Sequence, residues 1–386
     1  MTSGTPHTRA HRAGVESDPL GSVMPPLHLS ANYAFRGLGE PGPYDYARAS
    51  NPTRDVLAEA MTTLEGGAGA VITGSGLGAI STIAHTLVGP DDTVVIPHDA
   101  YGGTWRLFDQ LSRRGHLRLV TCDLTDLDAT AACFDAEPPQ LVFAETPSNP
   151  LLRITDLRAL SDLAHRHGAT VVADNTFCSP VFQRPLEHGC DLVVHSTTKY
   201  VNGHSDVLGG AVVTKDVATA EDLAFMANTL GHTAGSFDAW MTMRGLRTLR
   251  PRMRQHESNA LAVVEALTGH PAVEQVWHPS LPDHPGHEIA RRQQEGFGAM
   301  VSFDLGTREA AGACVEGLQF VSLAESLGGT ESLIAHPVSM THGAMTPEAQ
   351  AAAGLTPGLL RMSVGLEDAD DLVADLTAGL DRATRV

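Results

Sequence analysis

The stretch Asp191-Leu192-Val193-Val194-His195-Ser196-Thr197-Thr198-Lys199-Tyr200 is a short apolar run that ends in hydroxyls and a lysine. A run this short and without alternation is the pattern of a strand buried on both faces. The chain repeats it in Ala70-Val71-Ile72, Thr93-Val94-Val95-Ile96, Leu141-Val142-Phe143, Thr170-Val171-Val172-Ala173 and Ala211-Val212-Val213. Amphipathic helical stretches separate most of these runs, as Asp156 to His167 does ahead of Thr170. Doubly buried strands joined by helices predict an α/β fold with a mainly parallel central sheet.

Working outward, residues 1–50 are rich in Gly, Pro and Ser, with Leu27, Leu29, Tyr33 and Phe35 nearly alternating. Such a segment lacks a core of its own and is expected to lie as an arm across another surface. Residues 51–250 carry the strand–helix alternation. From 251 to 386 the texture changes to a smaller α+β domain. A long helical pattern from Arg250 to Leu267 precedes the apolar runs Val273–Trp277 and Ala299–Phe303, and a last helix starts near Asp368.

Composition limits the possible partners. The formal net charge of −19 argues against nucleic acid and against an anionic membrane surface. No run approaches the ~18 apolar residues of a membrane span, and Met1 to Leu20 has no signal-peptide stretch. The five cysteines, Cys122, Cys133, Cys178, Cys190 and Cys314, are scattered without a CxxC, which suits reduced thiols and a cytoplasmic protein.

Positive charge is supplied by 24 arginines and only two lysines, Lys199 and Lys215. Arginine stays protonated, whereas a lysine amine can lose its proton and attack a carbonyl. Ligands of open α/β sheets gather outside the carboxyl ends of the strands, and the polar residues there form a set. Ile72 leads into Thr73-Gly74-Ser75-Gly76-Leu77-Gly78, a glycine-rich turn opening a helix, which suits a phosphate. The run ending at Ala173 delivers Asp174-Asn175-Thr176, where Asp174 is either a helix N-cap or the counter-charge of a cationic ring nitrogen. Ser196 and Thr198 flank Lys199. An acid, hydroxyls, a glycine-rich turn and a lysine together match the needs of pyridoxal phosphate. His336 and His342 have no further ligand types around them and are expected to be structural, with no metal site.

The segment Ser196 to Asp206 resembles the lysine motif of the Cys/Met-metabolism family of pyridoxal-phosphate enzymes. The resemblance extends through Tyr44-Asp45-Tyr46-Ala47-Arg48, Asp99 to Thr104, Glu145-Thr146-Pro147-Ser148-Asn149-Pro150, Glu325-Ser326-Leu327-Gly328-Gly329, Met340-Thr341-His342 and Arg361 to Gly365. It implies a fold-type I pyridoxal-phosphate transferase. Lys199 would hold the cofactor and carry protons, Asp174 would pair with the ring nitrogen, and Tyr101 would stack on the ring and serve catalysis. Asn149 would bond the phenolic oxygen. Ser75, Gly76, Leu77, Thr176, Ser196 and Thr198 would complete cofactor binding; Leu77 stands where the family usually has methionine. Tyr46 and Arg48 would reach a neighbouring subunit's phosphate, within a homotetramer of two dimers. Arg361 and Ser326 would bind an amino-acid carboxylate.

Branch features follow the same resemblance. Gly103 stands where methionine γ-lyases carry cysteine, and Glu325 where β-lyases tend to carry an aromatic. Asp45, Arg106 and Glu325 are similar to the substrate pocket of bacterial cystathionine γ-synthases. Ala49 departs from members with a second arginine there, which widens the range of γ-leaving groups. The implied activity is γ-replacement on an O-acylated homoserine with cysteine. The alternatives are a cystathionine γ-lyase, or γ-elimination on another γ-substituted amino acid of a specialised pathway.

Overall fold

The computed structural model describes residues 4–16, 18–343, 345–346, 350–351 and 353–386. The apolar runs become strands β1 (Gly69–Thr73), β2 (Thr93–Pro97), β4 (Leu141–Glu145), β5 (Thr170–Asp174), β6 (Leu192–His195) and β7 (Gly210–Thr214), joined by an additional β3 (Arg118–Cys122). They form one sheet in the order β1-β7-β6-β5-β4-β2-β3. Pairing is parallel from β6 through β3, and β7 runs antiparallel to both its neighbours. Two antiparallel steps restore the direction, so β1 ends on the same edge of the sheet as β6.

Double-sided burial follows from the side-chain alternation of a strand. Val94 and Ile96 pack with Phe143, Ile83 and Phe108 on one face, while Val95 packs with Val142, Val171 and Leu160 on the other. Each such aliphatic side chain removed from water stabilises the fold by roughly 1.5–3 kcal/mol. The helices on these faces start where short polar side chains accept the first free N–H groups. Asp156 caps Leu157–Arg166 by accepting from the Ala159 N–H, and Asn51 caps Pro52–Glu65 by accepting from Thr53 and Arg54.

A second, five-stranded sheet has the order β10-β11-β12-β9-β8, with β8 (Gln275–Trp277), β9 (Met300–Asp304), β10 (Ser322–Leu323), β11 (Leu333–Ala335) and β12 (Leu359–Ser363). Its core joins Met300, Phe303 and Met362 to Met253 of helix Leu249–Thr268 and to Leu372, Leu376 and Leu380 of helix Ala369–Ala383. Asp368 caps that last helix. Ahead of the large sheet, a short helix Pro6–His11 buries Ala10 against the cluster of Leu57, Ala60 and Met61. The following segment leaves Leu29, Phe35 and Leu38 exposed. Among the described residues no helix is long and apolar enough to cross a membrane.

Candidate active site

The carboxyl edge of the large sheet collects the polar residues. After β1, Ser75 caps helix Gly76–Leu87: its hydroxyl accepts the Gly78 N–H at 3.0 Å and its carbonyl the Ala79 N–H at 3.0 Å. The N–H groups of Gly76 and Leu77 precede these bonds and remain as donors at the helix mouth, where the dipole favours an anion. A β-carbon on Gly76 would lie 2.9 Å from Ser196 Cβ, so glycine is what lets this mouth close onto the lysine loop. The Ser196 N–H donates to the Thr176 hydroxyl at 2.9 Å, and the Thr176 N–H donates to Asp174 at 2.9 Å. The Ser196 hydroxyl takes no protein partner among the described residues. The Thr198 side chain is bonded to the backbone of Gly209. Its hydroxyl donates to the Gly209 carbonyl at 3.2 Å and accepts the Gly209 N–H at 2.9 Å.

Lys199 Nζ donates to Ser326 Oγ at 2.6 Å. Burial and the Arg361 charge pull the amine down to about 8. Ser326 has φ of 92°, uncommon for a residue with a side chain. Its carbonyl accepts from Arg361 Nη2 at 3.0 Å, and Arg361 Nη1 donates to Asn149 Oδ1 at 2.8 Å. Arg361 projects from β12, is 2% exposed, and is lowered by burial to about 10, so it stays charged at neutral pH. Its Nε is buried without a partner, and no carboxylate lies within ion-pair distance among the described residues. A buried guanidinium left this way is costly unless a carboxylate arrives.

Tyr101 begins helix Gly102–Arg113 and keeps 41% of its surface exposed. A β-carbon at Gly103 would fall 2.5 Å from its ring. Burial raises the phenol's pKa, and Arg106, Glu145, Glu325 and Arg361 all lie within electrostatic reach of it. Glu145 and Asp174 face each other in register at the ends of β4 and β5. Burial raises both carboxyls, and Asp174's charge pushes Glu145 further up. Two neighbouring acids suit a site that receives a cation.

The arm residues are placed differently. Tyr46 and Arg48 are exposed; the Arg48 guanidinium lies 5.5 Å from the Tyr46 ring and donates to the Asn228 carbonyl at 2.6 Å. Asp45 accepts the Tyr46 N–H at 2.5 Å. These three are not brought to Lys199 by the contacts of their own chain. His336 bonds Ser339 and the Pro357 carbonyl, at 2.7 and 2.9 Å, as a structural histidine. Lys215 pairs with Asp191 at 2.9 Å rather than standing free in solvent.

These groups fit pyridoxal phosphate: an anion-binding helix mouth closed by Gly76, an acid pair short of a cation, an exposed ring face and an amine held near neutrality. A sequence model of the Cys/Met metabolism PLP-dependent enzymes matches residues 7–381. The chain is 51% identical over 380 residues to a cystathionine gamma-synthase of Escherichia coli strain K12, covering 98% of each. It superposes with a TM-score of 0.97 on the crystal structure of cystathionine gamma synthase from Xanthomonas oryzae pv. oryzae in complex with cystathionine, at 56% identity and with both chains covered fully. A cystathionine gamma-lyase from Lactobacillus plantarum complexed with L-serine gives a TM-score of 0.94 at 37% identity, covering 99% of this chain and 100% of that one. Full-length agreement with the family and with these relatives shows that the chain belongs to the Cys/Met metabolism PLP-dependent enzymes.

Proposed function

We propose that the chain catalyses γ-replacement on an O-acylated homoserine with cysteine, giving cystathionine. The observation that carries this is the linkage of Lys199 to Arg361 through Ser326, which holds a proton-accepting amine beside a carboxylate-binding fork. Bound pyridoxal phosphate supplies an electron sink that makes the substrate's Cα and Cβ hydrogens acidic. Arg361 grips the α-carboxylate and so orients the Cα hydrogen toward Lys199. Lys199 takes the Cα proton and then moves protons at Cβ, a task suited to an amine near 8. Asp174 holds the ring nitrogen protonated, Tyr101 covers the ring face, and Gly76, Leu77, Ser75 and Ser196 hold the phosphate. Thr198 and Thr176 complete the cofactor's surroundings; with Oδ1 of Asn149 taken by Arg361, its NH2 is left to donate to the phenolic oxygen. Arg106 and Glu325 receive the γ-substituent and the incoming amino acid.

Tyr46 and Arg48, exposed on the arm, complete a neighbouring subunit's phosphate site, and Asp45 joins Arg106 and Glu325 in the substrate pocket, within a cytoplasmic homotetramer. In this reading residues 1–50 serve as the arm, 51–250 bind the cofactor and 251–386 supply the carboxylate site.

The test supplies O-succinyl- or O-acetyl-homoserine with cysteine and follows products by mass spectrometry. Cystathionine is the expected product. The similarity to the Lactobacillus lyase keeps a second reading, γ-elimination. Rapid 2-oxobutyrate release from cystathionine, without any synthesis, would establish that reading and remove the first.

A further inference from the structure

Glu145 has no role in the reaction as described, yet it closes β4 directly beneath the site and is only 6% exposed. Its Oε2 accepts the Tyr101 N–H at 2.8 Å, and its Oε1 accepts the Asn149 N–H at 3.0 Å. The two donors come from different loops, one after β2 and one after β4. The helix that Tyr101 begins has no side-chain cap, so the tyrosine backbone is held from this carboxylate instead. Each carboxyl oxygen accepts one N–H, whereas a carboxamide would turn an NH2 toward one of the two N–H groups. An acid here also carries a cost, because it is buried next to Asp174. A residue that merely filled space would not need two acceptor oxygens at that position.

We infer that Glu145 is a positioning residue, whose carboxylate locks the Tyr101 and Asn149 backbones together. It thereby sets the stacking ring against the cofactor and aims the carboxamide that braces Arg361. This rests on the placement of the cofactor ring against Tyr101 proposed above.

The test is a double-variant cycle on cofactor retention, read as the loss of protein-bound absorbance when the holoenzyme is diluted. Glu145→Gln is expected to raise the cofactor's dissociation constant about ten-fold, the loss of one backbone hydrogen bond at the site. Once Tyr101 is alanine, the same change is expected to cost less than about three-fold, because the two act as a unit. Losses that multiply in the double variant, or an unchanged constant in Glu145→Gln, overturn the positioning role. Native retention in Tyr101→Ala alone overturns the stacking placement and this inference with it, whereas multiplied losses beside a weakened Tyr101→Ala overturn the Glu145 role only. Should Glu145→Gln not fold, Glu145→Asp, which keeps the charge and shortens the reach, enters the same cycle with the same expected outcomes.

Discussion

Ser326 joins Lys199 to Arg361: its hydroxyl lies 2.6 Å from the lysine amine, and its carbonyl 3.0 Å from the arginine Nη2. The guanidinium charge therefore bears on the amine and, after burial, helps bring it to about 8. Only the neutral amine captures a carbonyl. The rate at which apoprotein captures cofactor is expected to rise with pH through about 8 and then level off. In Arg361→Ala a repelling cation is gone, so the protonated amine is favoured and the midpoint moves to higher pH. Stopped-flow absorbance across a pH series measures both, and an unmoved midpoint in the variant would refute the coupling.

The two lysines should separate cleanly. Lys199→Ala is expected to lose the covalently held cofactor chromophore and to reduce turnover about 1,000-fold or more. Lys215→Ala gives up a half-exposed ion pair with Asp191 and should change neither by more than about two-fold. Absorbance spectra and steady-state rates decide; a yellow, active Lys199→Ala enzyme would end the argument.

Gly103 is a contact position, with space for no β-carbon while the Tyr101 ring stays where it is. Because that ring is partly exposed, Gly103→Ala is expected to displace the ring instead of straining the core. Thermal stability should change by under about 1 kcal/mol, while cofactor retention weakens several-fold. A crystal structure of the variant with an unmoved ring would contradict this.

Acid should destabilise the fold in a defined window. His256 and His278 are 0% exposed and His342 is 2% exposed. Burial lowers each from 6.5 to about 4. The unfolded chain protonates these rings near 6.5, so between 6.5 and about 4 it binds more protons than the native state, and stability falls as pH drops. By about pH 5 the loss is on the order of 2 kcal/mol per histidine. Urea midpoints taken from neutral pH downward should show that slope, and His278→Asn should make it shallower.

The central strands were legible because β2, β4, β6 and β7 are buried along their whole length, which requires unbroken apolar runs. β3 was not, since it closes the sheet's edge, exposing Arg118 and half-exposing Leu119 and Val120. β12 hid because a buried arginine interrupts it, and that arginine is there for ligand chemistry. Lys199, Asp174 and the Gly76 turn could be found from residue type and position alone. Glu145 could be quoted within a motif but not assigned, as its partners are backbone N–H groups that no side-chain pattern announces. The signal available was its position, an acid ending the run just before the one that ends in Asp174. The bonding of the Thr198 hydroxyl to Gly209 depends likewise on a backbone turn.

The antiparallel β7 also fixes a timetable for synthesis. β1 sits at the sheet's edge with β7 as its neighbour, yet residues 69–73 leave the ribosome long before residues 210–214. At ~5–20 residues per second that interval is on the order of ten seconds. The glycine-rich turn is made early but cannot meet Ser196 until β7 has slid between β1 and β6. The cradle thus waits for residue 214, yet 172 residues, among them Arg361, are still to be made at that point, so the cofactor's phosphate site can be complete before the carboxylate site exists.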